Sequence, residues 1–155
     1  MKNYLGPRCF LLSGKVMGRR EDFQVRNSRG FLLECSYFEP AEVSNLKHPC
    51  LLYLHGNASS RLEGLHLLGS SVAYGFSLLL MDFTGCGLSQ GEYISMSYFE
   101  KQDAKLVMDY VRNWKDVSEF GIWGRSMGAA TALMTALEVD ESIRYVVVDS
   151  CFVSV

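Results

Sequence analysis

The segment Gly124-Arg125-Ser126-Met127-Gly128 sets a serine between two glycines, where an apolar stretch, Glu119 to Trp123, gives way to a small-residue helical stretch. A serine hydroxyl attacks a carbonyl only when it is exposed, oriented and relieved of its proton by a base. A tight strand-to-helix turn supplies the first two conditions. Flanking glycines let the backbone turn sharply with no Cβ against the neighbouring strand and helix, and the turn lifts the hydroxyl clear of the sheet. The helix N-terminus that follows aims free backbone N–H groups at any anion forming beside the serine oxygen. The chemistry implied is nucleophilic acyl transfer, with Ser126 as the attacking group.

That chemistry also needs donors for the developing oxyanion. Pro49 to Leu54 reads as a buried strand running into His55-Gly56-Asn57-Ala58-Ser59-Ser60, a turn-rich segment that opens a helix. Two fixed backbone N–H groups can stabilise the oxyanion, by about 3 kcal/mol for each donor. The expected donors are the amides of Asn57 and of Met127, the residue after the serine. Between the two motifs a strand, Ser77 to Met81, leads into Asp82-Phe83-Thr84-Gly85-Cys86-Gly87-Leu88-Ser89-Gln90-Gly91, whose glycines permit a tight, irregular loop.

In this order, HGN, DFTGCGLSQG and GRSMG resemble the α/β-hydrolase superfamily, more narrowly its esterase, thioesterase and serine-aminopeptidase-like (S33-like) branch. The likeness covers Gln24 to Asp149. It implies Ser126 as nucleophile, Met127 and Asn57 as oxyanion donors, Gly124 and Gly128 as the elbow glycines, and His55 and Gly56 as loop-shaping residues. In such a family the Asp82 loop is structural and lines the site region, so Asp82 is not assigned a catalytic role. The activity implied is cleavage of ester, thioester or amide bonds in a small-molecule or acylated substrate, through an acyl-enzyme on Ser126 and without a cofactor.

One departure from the pattern matters. The triad order in this fold is Ser, then Asp or Glu, then His, yet the three histidines, His48, His55 and His66, all precede Ser126. Asp149, at the end of the strand Ile143 to Val148, is a candidate acid at the carboxyl edge of the sheet, against a structural role capping the loop. The resemblance puts the triad acid one strand later. Ile143 to Val148 is itself nearly continuous and β-branched, the pattern of a strand covered on both faces inside a parallel sheet. The expectation is a partial domain over residues 1–155, lacking two further strands, a cap, the triad acid and the His, and weakly active or inactive by itself. The alternatives are a non-catalytic pseudo-hydrolase or binding module, and a fragment with no function of its own.

The elements that must position these residues alternate. Phe10 to Val16, Phe23 to Asn27 and Phe31 to Phe38 suit an antiparallel leading edge. A helix is expected near Arg61 to Tyr74 with Leu62, Leu65, Leu68 and Val72 on one face, and another from Tyr98 to Trp114 with Phe99, Leu106, Tyr110 and Trp114 inward. A third, starting at Ser126, is apolar almost all round and therefore expected to be buried. The alternation predicts an α/β fold with a doubly wound, mainly parallel sheet, incomplete after about the sixth strand.

Composition narrows the remaining classes. A chain of 155 residues, 48% hydrophobic and 21% charged, supports one domain with a real core. Net charge of −2 gives no electrostatic case for nucleic acid. Neither a signal-peptide core nor a membrane-length apolar run is present, so a cytoplasmic location is expected; partner proteins are not indicated. The histidines have no cysteine or carboxylate at ligand spacing, and Gly85 to Gly91 is not a dinucleotide fingerprint, so neither a metal nor a cofactor is expected. Five scattered cysteines read as reduced thiols. The mixed charge run Lys15 to Asp22 reads as a solvated turn, His48 as a solvated loop residue, and Arg125 as packing or pairing behind the elbow.

Overall fold

Residues 5–12, 16–41 and 47–152 are described by the computed structural model. The leading segment forms three strands in antiparallel succession, β1 (Cys9–Leu12), β2 (Val16–Arg26) and β3 (Leu32–Pro40). After them, strand and helix alternate: β4 (His48–Leu54), a 3-10 turn (Arg61–Leu67) continued by α1 (Leu68–Ala73), β5 (Ser77–Met81), α2 (Glu100–Trp114), β6 (Val117–Arg125), α3 (Met127–Glu138) and β7 (Ile143–Asp149). All seven strands join one sheet in the order β1-β2-β3-β5-β4-β6-β7. β3 meets β5 antiparallel, and β5, β4, β6 and β7 run parallel.

Helices cover both faces, which makes the fold doubly wound as expected. On one face Phe38, Tyr53, Leu78 and Leu80 pack with Leu67 of the 3-10 turn. On the other, Leu52, Leu54, Leu79, Met81 and Ile122 meet Ala104, Val107, Met108 and Val111 of α2 and Ala132 of α3. Because side chains alternate between two covered faces, every residue of β5 is buried. The parallel arrangement brings the carboxyl ends of β4, β5, β6 and β7 to one edge, where the loops carrying the chemistry-bearing motifs gather.

Several expectations need correction. The charge run does not make a turn: residues from Val16 onward continue straight into β2, while Lys15, with the rest of 13–15, lies outside the described residues. Its charges fit a strand because they are paired, Arg19 with Glu39 and Arg20 with Asp22 and the Gly6 carbonyl (2.7 Å). His48 is the first residue of β4, with its Nε2 3.2 Å from Tyr37 Oη. The helix expected at Arg61 starts as a 3-10 turn, which rotates the buried set to Arg61, Gly64 and Leu67 and leaves Leu62 exposed.

On α2 the buried face is Glu100, Asp103, Ala104, Val107, Met108 and Val111, displaced from the large aromatics named above. Tyr110 and Trp114 instead lie half out of the core against Phe23, with ring centroids 5.1 Å from it. α3 buries only one side, and Leu137 is 79% exposed. In β7, Tyr145, Val147 and Val148 are exposed, and among the described residues β6 is its one strand neighbour. Among the described residues no helix is long and apolar enough to cross a membrane.

Candidate active site

β6 ends at Arg125 and α3 begins at Met127, so Ser126 alone makes the turn, at φ 52° and ψ −116°. A non-glycine residue on that side of the Ramachandran map costs about 1–3 kcal/mol and persists only where its surroundings over-determine it. Here Ser126 N–H donates to the Asp149 carbonyl (2.8 Å), and the Ser126 carbonyl accepts from Ala129 (3.0 Å) and Ala130 (3.2 Å). Both flanking glycines are required by contact. A Cβ on Gly124 would overlap the Gly128 carbonyl, and a Cβ on Gly128 would overlap the carbonyls of Leu54 and His55. The first turn of α3 therefore lies directly against the end of β4.

This approach brings the HGN segment to the serine. A Cβ on Gly56 would stand 3.7 Å from Ser126 Cβ and 3.6 Å from the Arg125 carbonyl. Asn57 follows in an exposed turn whose next residue, Ala58, has φ 55°. Met127 is buried at the start of α3, where a first-turn amide lacks an intrahelical partner. Among the described residues, neither the Asn57 nor the Met127 amide has a recorded backbone acceptor.

His55 is fully buried and both ring nitrogens are engaged. Nδ1 lies 2.7 Å from the Gly56 carbonyl, and Nε2 is 3.2 Å from the Phe83 amide nitrogen. An N–H aimed at Nε2 fixes the neutral tautomer with the proton on Nδ1. Burial drives the His55 pKa below its ordinary value, against the opposing pull of the Gly56 carbonyl and the charges of Asp82 and Glu63. His55 thus ties the loop after β4 to the loop after β5. Its partner loop is held by Asp82, which accepts from Arg61 N (2.6 Å) and Leu88 N (2.9 Å) and pairs with the Arg61 guanidinium. A Cβ on Gly87 would enter the Asp82 carboxylate.

Asp149 reaches Ser126 through its carbonyl, while its carboxylate accepts from Ser150 Oγ (2.8 Å) in an exposed position. Among the described residues no imidazole joins Asp149 to Ser126. His48 sits at the far end of β4, and His66 places Nδ1 2.6 Å from the Glu63 carbonyl. Arg125 pairs with Glu63 at 3.4 Å on the 3-10-turn face of the sheet.

Two clusters outside the sequence expectation support the site. Beneath α3, the Met127 carbonyl lies 2.9 Å from Thr131 Oγ1 and 3.3 Å from Ser97 Oγ. Met96 and Ser97 both have positive φ, 50° and 85°, held by the Glu100 carboxylate, which accepts from Ser95 N (2.8 Å) and Ser97 N (2.9 Å). The spacing Ser97-x-x-Glu100 is a capping-box signal that was available in the sequence. The second cluster joins Asp103 to Asn27 (3.0 Å), Thr84 (2.7 Å) and Arg29 across loops distant in sequence. Burial raises the Asp103 pKa, opposed by Thr84, Arg29 and Asn27.

Ser126 does not line the cavity of about 790 Å³ that opens between Leu5, Arg20, Glu34, Arg61 and Leu88 on the β2–β3 side. Among the described residues no group of three or more His, Cys, Asp or Glu side chains is arranged to hold a metal.

Known proteins share this fold. The family described as serine aminopeptidase, S33, matches residues 47–155. The chain is 34% identical to the lysophosphatidylserine lipase ABHD12 of Rattus norvegicus over 103 residues, 62% of this chain and 24% of that protein. Protein YqkD of Bacillus subtilis is 27% identical over 115 residues, 74% of this chain and 36% of its own length. Among solved structures, the Pyrococcus furiosus esterase Pf2001 superposes with a TM-score of 0.73 at 24% identity, covering 86% of this chain and 52% of that one. The hypothetical protein PA2218 of Pseudomonas aeruginosa gives 0.77 at 21% identity, covering 98% and 47%. These likenesses show a common fold. The chain spans about a quarter to a third of these curated relatives and about half of these solved chains.

Proposed function

The chain belongs to the serine aminopeptidase S33 family of hydrolases, within the α/β-hydrolase superfamily, and from that premise we propose that it carries the nucleophile and oxyanion half of an acyl-transfer site. Ser126 Oγ gives its proton to a base outside residues 1–155 and attacks the acyl carbonyl, and the amides of Asn57 and Met127 receive the oxyanion. The alcohol, thiol or amine leaves with that proton, and water releases the acyl group as the acid in a second step that restores the serine hydroxyl. The reading rests on one observation: Ser126, alone at positive φ between β6 and α3, stands against Gly56 of the loop that precedes Asn57. Gly124 and Gly128 permit that approach, and Gly56 and His55 shape the facing loop.

The same reading takes residues 1–155 as part of a hydrolase domain whose general base and triad acid lie outside them. The engagement of His48, His55 and His66 elsewhere supports this, as does the greater length of the relatives. Asp149 then serves structurally, through its carbonyl on Ser126. The proposed substrates are small acylated molecules, esters foremost, in keeping with a lipase and an esterase among the similar proteins. A cytoplasmic setting is part of the reading and is supported by five free cysteines, three of them buried.

The test is hydrolysis of p-nitrophenyl acetate and butyrate by the full protein and by Ser126→Ala. Loss of about 1,000-fold or more in kcat on substitution is expected. Turnover that survives the substitution would overturn the assignment, and a folded protein with no turnover would favour a binding role.

A further inference from the structure

Glu63, in the first turn after the HGN loop, was not among the residues expected to matter, yet β4 and the nucleophile turn both reach its carboxylate. Tyr53 of β4 donates its hydroxyl to Glu63 Oε1 (2.7 Å). The Arg125 guanidinium, immediately before the elbow serine, is 3.4 Å from the same oxygen. The 3-10 turn that carries Glu63 is itself entered through Glu63 N–H to the Ser60 carbonyl (3.0 Å). The carboxylate is 17% exposed and Arg125 52% exposed, so this is a partly shielded junction rather than a surface pair. The guanidinium also runs along the HGN backbone, with Nη1 3.7 Å from where a Gly56 Cβ would stand.

We propose that Glu63 is a positioning residue for acyl transfer: by holding Tyr53, at the end of β4 that leads into the HGN loop, and Arg125, next to the elbow serine, on one carboxylate, it fixes the Asn57 segment relative to the Met127 segment. The inference rests on the functional reading given above. Its physical basis is that the two oxyanion donors belong to separate loops and must converge on one atom. A misplacement of about 1 Å can cost about 100-fold in rate. The HGN turn contains a strained residue, Ala58 at φ 55°, and such a conformation needs external restraint. Charge-assisted hydrogen bonds to an ionised carboxylate are the strong, directional kind that can provide it. Burial would push the Glu63 pKa up, but bonds from Ser59, Tyr53 and Arg125 outweigh it and hold the carboxylate below its ordinary range, so it is ionised at neutral pH.

The test measures kcat and KM for p-nitrophenyl ester hydrolysis by the full protein bearing Glu63→Ala, Glu63→Gln or Tyr53→Phe, with Ser126→Ala as control. The expected loss in kcat is about 100-fold for Glu63→Ala, with KM within about twofold. Glu63→Gln, which keeps an acceptor for Tyr53 but loses the charge facing Arg125, should recover to within about tenfold of wild type. Tyr53→Phe should lose about threefold. A fall in kcat of less than tenfold for Glu63→Ala, or a fall matched by a rise in KM, overturns the positioning role. Should Glu63→Ala not fold, Glu63→Gln decides: a loss of threefold or more in kcat alone supports the role, and less overturns it. Failure of the functional reading is distinguishable, because activity would then survive Ser126→Ala or be absent from the folded unsubstituted protein.

Discussion

The carboxyl ends of β4 and β7 both lie at the nucleophile turn, on short apolar strands of similar composition, and they differ in what surrounds them. In β4, Leu52, Tyr53 and Leu54 are buried between β5 and β6 with helices over both faces. In β7, Tyr145, Val147 and Val148 are exposed, although Ile143 to Val148 has the composition of a strand covered on both faces. β-Branched composition specifies an extended backbone; how much of it is covered depends on neighbouring layers. The contacts of the two strands with the elbow differ in kind as well. β4 meets α3 backbone to backbone at Gly128, with no room for a methyl group, whereas β7 touches the turn through a single hydrogen bond from Ser126 N–H.

Substitutions can widen or erase that contrast. Gly128→Ala should have the largest effect, because the added Cβ meets main-chain atoms of Leu54 and His55 that cannot rotate away. We expect a loss of about 3 kcal/mol or more in urea unfolding. A loss under about 1 kcal/mol would show that α3 can move off β4, and the tight approach would lose its meaning. Next, in the 155-residue chain itself, Leu52→Ala should cost about 2–5 kcal/mol by cavity formation, while Val147→Ala in β7 should cost under about 1 kcal/mol. Equal losses would contradict the difference in covering.

Ser126→Gly tests the strained turn from the other side. Relief of the positive φ should raise stability by about 1 kcal/mol in the same unfolding measurement while removing activity. Unchanged or reduced stability would mean that the turn stores no strain. The smallest effect concerns His55. Its folded pKa lies below the ordinary 6.5 because it is buried neutral, so the unfolded chain takes up a proton that the folded chain refuses. The associated stability is complete above about 6.5 and declines as pH falls toward the lowered value. Unfolding free energies from pH 7 to 5.5 should therefore slope less in His55→Asn than in the wild type; parallel slopes would contradict the buried neutral state.

Much of the site could be read in the amino-acid sequence, because its demands are local. A serine between glycines after an apolar strand requires a turn of one kind, and the strand Ser77 to Met81 carries its boundaries in its own composition. Features that depend on tertiary partners were not legible. The Arg19-Arg20-Glu21-Asp22 run looks solvated until Glu39 and the Gly6 carbonyl are seen beside it. Helical spacing on α2 correctly gives a helix, but large aromatics drew the inferred inner face toward Tyr110 and Trp114, while small Ala104 and buried Asp103 face the sheet. Asp103 is tolerated there because Asn27, Arg29 and Thr84 arrive from distant loops. The Glu63 junction was missed for the same reason, since Tyr53, Glu63 and Arg125 come together only in the folded chain.

The central claim is that the turn at Ser126 presents a reactive hydroxyl, and covalent labelling tests it most directly. The full protein would be treated with a fluorophosphonate, digested and mapped by mass spectrometry, with Ser126→Ala in parallel. A single adduct on the peptide carrying Ser126, absent from the variant, is the result expected. A folded protein that stays unmodified, or carries its adduct on another residue, would contradict the assignment of Ser126 as nucleophile.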